Sequence, residues 1–309
     1  MERHYDLVIV GAGPAGMAAS IYGSRAGLKV LLLDNGAPGG KLIKTYQISN
    51  YPGVKSTSGV DLAMSMFEQS TAFGAEYGYG NVVKITEDKK VILDDDTEIQ
   101  ANAVIVATGT KERLLQIPNE KEMIGRGVSY CAVCDGAFFK NKDVVVIGGG
   151  NSALEEALYL TQLVRKVTIV IRRDVFRAEE NIQNQILNND KIEIIRHHIP
   201  KEILSENNKV SGIVLENVND EQETIVPCSG IFPYIGQDPM SDCLKELNVL
   251  NEKGYIKVDS NMETCVKGIY AAGDIVEKDL RQVVTATNDG AIAAQSAYHR
   301  IKNRRFKIR

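Results

Sequence analysis

Leu7-Val8-Ile9-Val10-Gly11-Ala12-Gly13-Pro14-Ala15-Gly16 is a short apolar run that passes directly into a glycine-rich turn. A helix is expected over Met17 to Ala26, and a second apolar strand, Lys29 to Leu33, ends at Asp34. Glycines in such a turn let the backbone approach a pyrophosphate, which the helix amino terminus attracts. An acid about 20 residues further on is where the ribose hydroxyls of an adenine nucleotide are held. Glycine turns alone are common, but strand, turn, helix and acid in register are a far narrower signal. The fold class is therefore α/β, built on a Rossmann-like dinucleotide site.

The pattern recurs. Asp143 to Ile147 reads as a strand, Gly148-Gly149-Gly150-Asn151-Ser152-Ala153 as the turn and Leu154 to Leu163 as the helix; the fingerprint accepts alanine at its third small position. The next strand, Lys166 to Ile171, ends not in an acid but in Arg172-Arg173, with Arg177 close behind. Arg172 has nearly the offset from Gly148 that Asp34 has from Gly11. Guanidinium groups there replace a hydroxyl acceptor with a phosphate clamp. The first site thus reads as an FAD type and the second as an NADPH type. A solvated strand end is the competing reading of the arginines.

Between the two turns lies Ser129-Tyr130-Cys131-Ala132-Val133-Cys134-Asp135-Gly136-Ala137. Two thiols separated by two residues close a disulfide with little backbone movement and reopen by exchange. Asp135 is placed to supply and accept the protons that exchange requires, although an Asp-Gly pair also serves simply as a turn. The other reading of the cysteines is half of a zinc site, which needs two more soft ligands. Cys228, Cys243 and Cys265 are scattered singly and His197-His198 lacks ligand spacing, so no metal is expected.

The remaining signals are weaker. Ala37 to Lys41 and Ile48 to Gly53 are Gly/Pro-rich loops, Gly59 to Gly74 reads as a helix, and Ala103 to Ala107 is a buried-type strand ending in Thr108-Gly109-Thr110. A later strand, Gly268 to Ala272, runs into Gly273-Asp274, and a small-residue helix extends to about His299, leaving Arg300 to Arg309 as a solvated basic tail. A chain of 309 residues with 44% hydrophobic and 25% charged content suits two globular domains. The net charge of −4 gives no electrostatic case for nucleic acid or an anionic membrane. No apolar run reaches membrane-spanning length, and Met1 to Asp6 lacks the regions of a signal peptide. Five cysteines, an odd number, fit a reducing compartment, and the cytoplasm is expected.

In this order the motifs resemble a low-molecular-weight thioredoxin reductase of the bacterial type, over essentially the whole chain. The resemblance rests on Gly11 to Gly16, Cys131 to Gly136, Gly148 to Ala153, Arg172 to Arg177, Ala271 to Asp274 and Arg281-Gln282. It implies an FAD-binding domain, residues 1–115 and 239–309, interrupted by an NADPH-binding domain, residues 116–238, that carries the dithiol. It also implies a homodimer, with thioredoxin or a thioredoxin-like protein as partner. By matching position Cys134 faces the flavin, Cys131 attacks the partner disulfide and Asp135 is the acid–base group. Gly11, Gly13, Pro14, Ala15, Gly16, Asp34, Gly40, Asn50, Val83, Thr108, Gly109, Gly273, Asp274, Arg281 and Gln282 fall to FAD. Gly148, Gly150, Asn151, Ser152, Ala153, Arg172, Arg173 and Arg177 fall to NADPH. In this family the smaller domain swings between two poses, which puts a hinge in the linkers near 111–117 and 236–241. Ile171 departs from the family, whose phosphate-binding run usually begins with His, and Lys41 stands where glutamine is common. Relatives fed by ferredoxin are the alternative, yet they tend to lose the second fingerprint that this chain keeps. A flavin-bound redox sensor would have no reason to keep the arginine clamp.

Overall fold

Leu7, Val8, Ile9 and Val10 are each at most 5% exposed. The strand that carries them, β1 (Arg3–Val10), is covered on both faces, so it reads as a continuous apolar run and not as an alternating one. In the computed structural model, which describes residues 3–45 and 48–307, β1 leads to α1 (Pro14–Arg25), β2 (Val30–Asp34), α2 (Gly59–Thr71), β3 (Glu76–Tyr79), β4 (Val82–Ile85), β5 (Lys90–Leu93) and β6 (Glu98–Val106). A crossing strand, β7 (Thr110–Glu112), precedes α3 (Glu120–Met123), α4 (Ala132–Asp135), β8 (Asp143–Ile147), α5 (Asn151–Thr161), β9 (Lys166–Ile171), α6 (Glu180–Leu187) and β10 (Ile192–Arg196). Then come β11 (His198–Glu206), β12 (Lys209–Asn217), β13 (Glu223–Pro227) and β14 (Gly230–Pro233). The chain returns through β15 (Gln237–Pro239) and ends with β16 (Ile269–Ala271) and α7 (Val283–Lys307).

Two units result, residues 1–111 with 238–309 and residues 112–237. The crossing strands β7 and β15 pair with each other. Both units follow one plan. In the first, β3-β2-β1-β6 lie side by side and parallel; in the second, β10-β9-β8-β14 do the same. Each runs strand, glycine turn, helix, strand, helix, strand, then an antiparallel excursion (β4-β5 or β11-β12-β13) before its fourth parallel strand. That order is the Rossmann arrangement. The repeat that the sequence displays only at its glycine turns extends through both parallel sheets.

Alternation sorts the side chains into layers. Leu7 and Ile9 pack with Met17, Leu62 and Ala293 of the helices, whereas Val8 and Val10 pack with Ile85, Val91 and Leu93 of the excursion. In the second unit Val144 and Val146 meet Leu154 and Leu160 of α5, and Val145 and Ile147 meet Ile203, Ile213 and Leu215. β6 divides one edge between two partners, pairing Ile99 and Gln100 with β5 and Val104 to Val106 with β16.

Helix ends depart from the sequence reading at both termini. α1 starts at Pro14, because proline at the first helical position gives up an N–H that has no intrahelical acceptor anyway. α7 continues beyond His299 because Ile301 docks in the same cluster as Ala294 and Ala297. Arg300 is accordingly no tail residue: its guanidinium pairs with Glu263 at 3.3 Å. Ile308 and Arg309 lie outside the described residues. Among the described residues no helix is long and apolar enough to cross a membrane.

α7 packs on α1 at Gly290, where a Cβ would lie 2.1 Å from the Ala15 carbonyl oxygen. Helix propensity alone favours alanine over glycine by about 0.8–1.0 kcal/mol, but overpacking costs about 1–3 kcal/mol, and here the obstacle is backbone. Gly290→Ala should therefore lower the urea midpoint with little change in slope. A raised midpoint would show that the two helices are not held in this contact.

Candidate functional site

The chain leaves β1 through Gly11 at φ +106, where a Cβ would lie 2.4 Å from the Ala107 carbonyl oxygen. Only glycine takes this backbone conformation without strain. Gly11 N donates to Leu33 O at 2.7 Å and Ala107 N donates to Val10 O at 2.7 Å, so the ends of β2, β1 and β6 meet here. Gly148 repeats the arrangement at φ +140, with its absent Cβ 2.2 Å from Tyr234 O. Its N donates to Val170 O at 3.0 Å, and Tyr234 N donates to Ile147 O at 2.7 Å. Helices α1 and α5 then begin from Gly13 and Gly150 with no side-chain cap and no acidic residue in the first turn. Such helix ends suit an anion, through first-turn N–H groups and the helix dipole.

Loops distant in sequence gather around the first turn. Asp34 accepts Ala12 N on Oδ2 at 2.5 Å and Gly36 N on Oδ1 at 2.8 Å. This ties the turn to the end of β2 and leaves further lone pairs on the carboxylate for hydroxyl donors. A Cβ on Gly40 would stand 3.3 Å from Gly13 Cα, and one on Gly273 would stand 2.9 Å from Ala15 Cβ. Gly273 N donates to the buried Asp289 at 3.0 Å, which also accepts from Lys278 Nζ. Lys41 Nζ donates to Thr110 Oγ1 and lies 3.7 Å from Asp274 Oδ2. Asn50 Nδ2 donates to Gln282 Oε1 at 3.2 Å, and Arg281 Nε donates to Asp274 O at 3.2 Å. Pro14, Ala15 and Gly16 form the first turn of α1. Val83 sits exposed on β4, just beyond the link in which Gly80 N donates to Asp34 O at 2.9 Å. Thr108 and Gly109 fasten the returning chain: Thr108 Oγ1 donates to Met240 O at 2.7 Å, and Met240 N donates to Gly109 O at 3.0 Å. An uncapped helix start beside an acid, with glycines where side chains would intrude, fits the pyrophosphate and ribose of a dinucleotide.

The second turn is laced to the loop that follows β9. Arg177 N donates to Gly149 O at 2.7 Å, Asn151 Nδ2 donates to Glu179 Oε1 at 3.1 Å and Glu179 N donates back to Asn151 Oδ1 at 2.8 Å. Phe176 and Ala178 are buried and anchor the loop. Arg172, Arg173 and Arg177 are exposed, and their guanidinium groups make no hydrogen bond or ion pair among the described residues. Ile171 is a core residue, its Cγ2 3.0 Å from where a Gly149 Cβ would be. A residue there supports the turn from beneath. Ser152 is exposed on the first turn of α5, and Ala153 packs beneath Gly148.

Cys131 and Cys134 are joined in a disulfide across α4, with Cα atoms 5.3 Å apart. Cys134 N donates to Cys131 Sγ at 3.2 Å. Ser129, which no motif singles out, organises the segment: its Oγ donates to Asp135 Oδ2 at 2.6 Å and accepts Cys131 N at 3.1 Å. Ala132 N donates to the hydroxyl of Tyr234 at 3.2 Å, a contact that no local pattern announces. The preceding Tyr130 donates to the buried Glu120, which also accepts Leu115 N and Gln116 N, each at 2.7 Å. Burial pushes the Cys228 thiol up to about 12 and the Cys243 thiol up to about 11, so neither offers thiolate at neutral pH. On α5, burial and then the charge of Glu155 push Glu156 up to about 7, and its Oε2 is buried without a hydrogen-bond partner.

A family model described as pyridine nucleotide-disulphide oxidoreductase matches residues 5–290. The thioredoxin reductase of Bacillus subtilis is 48% identical over 303 residues, 97% of this chain and 96% of that one. The crystal structure of Lactococcus lactis thioredoxin reductase superposes with a TM-score of 0.94 at 46% identity, covering 97% of this chain and 99% of that one. A ferredoxin-flavin thioredoxin reductase from Clostridium acetobutylicum gives a TM-score of 0.54 at 28% identity, over 98% of this chain and 100% of that one.

Glu156 yields a stability test with a defined sign. In the unfolded chain a glutamate releases its proton near pH 4.5, whereas the folded chain holds this one to about 7. Between those values the folded state binds more protons, so stability falls as pH rises. Relative to Glu156→Gln, the protein should lose about 3 kcal/mol, to order of magnitude, between pH 4.5 and 8. Urea midpoints of the two proteins at both pH values measure it, and parallel pH dependence would refute the burial of this group.

Proposed function

The chain belongs to the pyridine nucleotide-disulphide oxidoreductase family, and on that premise we propose that it is a thioredoxin reductase. It takes electrons from NADPH through FAD to the Cys131–Cys134 disulfide and on to the disulfide of thioredoxin or a thioredoxin-like protein. The observation that carries this reading is a closed disulfide on the same unit as a glycine turn bonded to a loop with three exposed arginines.

FAD supplies a carrier that accepts a hydride from a nicotinamide and passes an electron pair to a disulfide. In the first unit α1 and Gly13 hold its pyrophosphate and Asp34 its ribose, with Gly40, Asn50, Asp274 and Gln282 along the rest. In the second unit the α5 amino terminus receives the NADPH pyrophosphate, and Arg172, Arg173 and Arg177 grip the 2′-phosphate. That arginine set favours NADPH over ferredoxin as donor. The linkers near 111–117 and 236–241 supply the hinge that the family's swing requires, and the assembly is a homodimer in the cytoplasm.

Once the pair is reduced, Cys131 Sγ attacks one sulfur of the partner disulfide and releases the other as a thiolate. Cys134 Sγ then attacks Cys131 Sγ in the mixed disulfide, which re-forms the Cys131–Cys134 bond and frees the second partner sulfur. Asp135, held through Ser129 against the dithiol segment, supplies protons to the departing thiolates.

Anaerobic titration of the yellow protein with NADPH, NADH and reduced ferredoxin tests the donor. NADPH should bleach the flavin at the lowest excess; bleaching by ferredoxin and by neither nucleotide would overturn the assignment.

Variants test the dithiol. Cys131→Ser should keep flavin reduction by NADPH and lose thioredoxin turnover. Cys134→Ser should lose turnover too, with the larger change in the flavin spectrum. Undiminished turnover in both would end the dithiol reading. Asp135→Asn keeps shape but exchanges no proton, and acid–base assistance is worth about 10²–10⁴-fold. Turnover should fall at least about tenfold with FAD content unchanged; full turnover across the pH range would leave Asp135 only a turn residue.

A further inference from the structure

Arg196 ends β10 in register with Ile171, the last residue of β9. It therefore stands beside the loop that opens with Arg172 and Arg173. Its Nε donates to the Asp174 carbonyl oxygen at 2.9 Å and lies 3.9 Å from Asp174 Oδ1. The next residue, His197, takes φ +60 and brings Nε2 to 3.5 Å from the same carboxylate oxygen. Asp174 is the single acid among Arg172 to Arg177, and its chain neighbours include the groups assigned to the 2′-phosphate. A carboxylate a few ångströms from a phosphate dianion repels it, and the surrounding water reduces that repulsion without abolishing it.

We propose that Arg196 and His197 are positioning residues for the 2′-phosphate of the nucleotide. They act through Asp174: Arg196 offsets its charge and holds its backbone, and His197 stands against the same carboxylate oxygen, so that Arg172, Arg173 and Arg177 meet the phosphate without a competing acid. The proposal rests on the NADPH reading of this loop. Sequence alone gave no reason to join these residues, because the contact is made by neighbouring strands.

Calorimetry of the FAD-loaded protein with 2′,5′-ADP and with 5′-AMP isolates the phosphate from the rest of the nucleotide. Arg196→Met should weaken 2′,5′-ADP about five- to tenfold and leave 5′-AMP within about twofold, since the latter lacks the charged group. His197→Gln should act in the same direction more weakly. Adding Asp174→Asn to Arg196→Met should recover at least about half of the loss on a logarithmic scale, because no carboxylate then remains to be offset. Thermal midpoints confirm that each variant is folded. Unchanged 2′,5′-ADP affinity in Arg196→Met overturns the proposal. So does a loss that Asp174→Asn leaves unrepaired, which would mean that Arg196 touches the phosphate directly. An unmodified protein that binds 2′,5′-ADP no better than 5′-AMP overturns the NADPH reading, and the proposal with it.

Discussion

Two glycine backbones, each closed against the carbonyl oxygen just beyond the fourth parallel strand of its unit, fix where the two uncapped helices begin. At Gly11 that oxygen belongs to Ala107 and at Gly148 to Tyr234. With no side chain to accommodate, three strand ends converge on one residue, and the following helix starts immediately with its amino end bare. A Cβ would prise these strands apart and move the helix start away from the ligand. The bare helix ends, Asp34 beside one turn and the arginine loop laced to the other all depend on this closure.

Buried carboxylates brace what the glycines position. Glu120, 1% exposed, gathers two backbone N–H groups and the Tyr130 hydroxyl just ahead of Cys131. Asp289 gathers Gly273 N and Lys278 at the start of the loop that carries Asp274. Removing one partner from such a buried set costs about 3–5 kcal/mol, so both acids act as rigid anchors. Glu156 solves the same problem differently. With an oxygen that finds no donor, it keeps its proton to about pH 7 and so avoids burying a charge.

The division of labour between units follows from the insertion. The disulfide lies in residues 112–237 with the second glycine turn, and the first glycine turn lies in the other unit. Each side of the crossing is tied within its own unit. Met240 is bonded to Thr108 and Gly109 on one side, and Arg113 N donates to Gly236 O at 3.0 Å on the other. The crossings are short, defined strands that pair with each other.

The sequence by itself determined the glycine turns, the strand and helix on either side of them, Asp34, the arginines after β9 and the Cys131–Cys134 pair. Each of these is a statement about a short stretch, in which residue type and spacing decide backbone conformation or local chemistry. Only the tertiary structure decided that Asn50 meets Gln282, that Lys41 lies between Thr110 and Asp274, that Tyr234 reaches Ala132 and that Arg196 engages Asp174. It also decided that Ile171 is core and that Arg300 belongs to a helix and an ion pair. Those contacts join segments whose separation carries no periodic or local signal. They exist because covering both faces of two parallel sheets forces particular strands and helices to be neighbours, and that is a property of the whole folded chain.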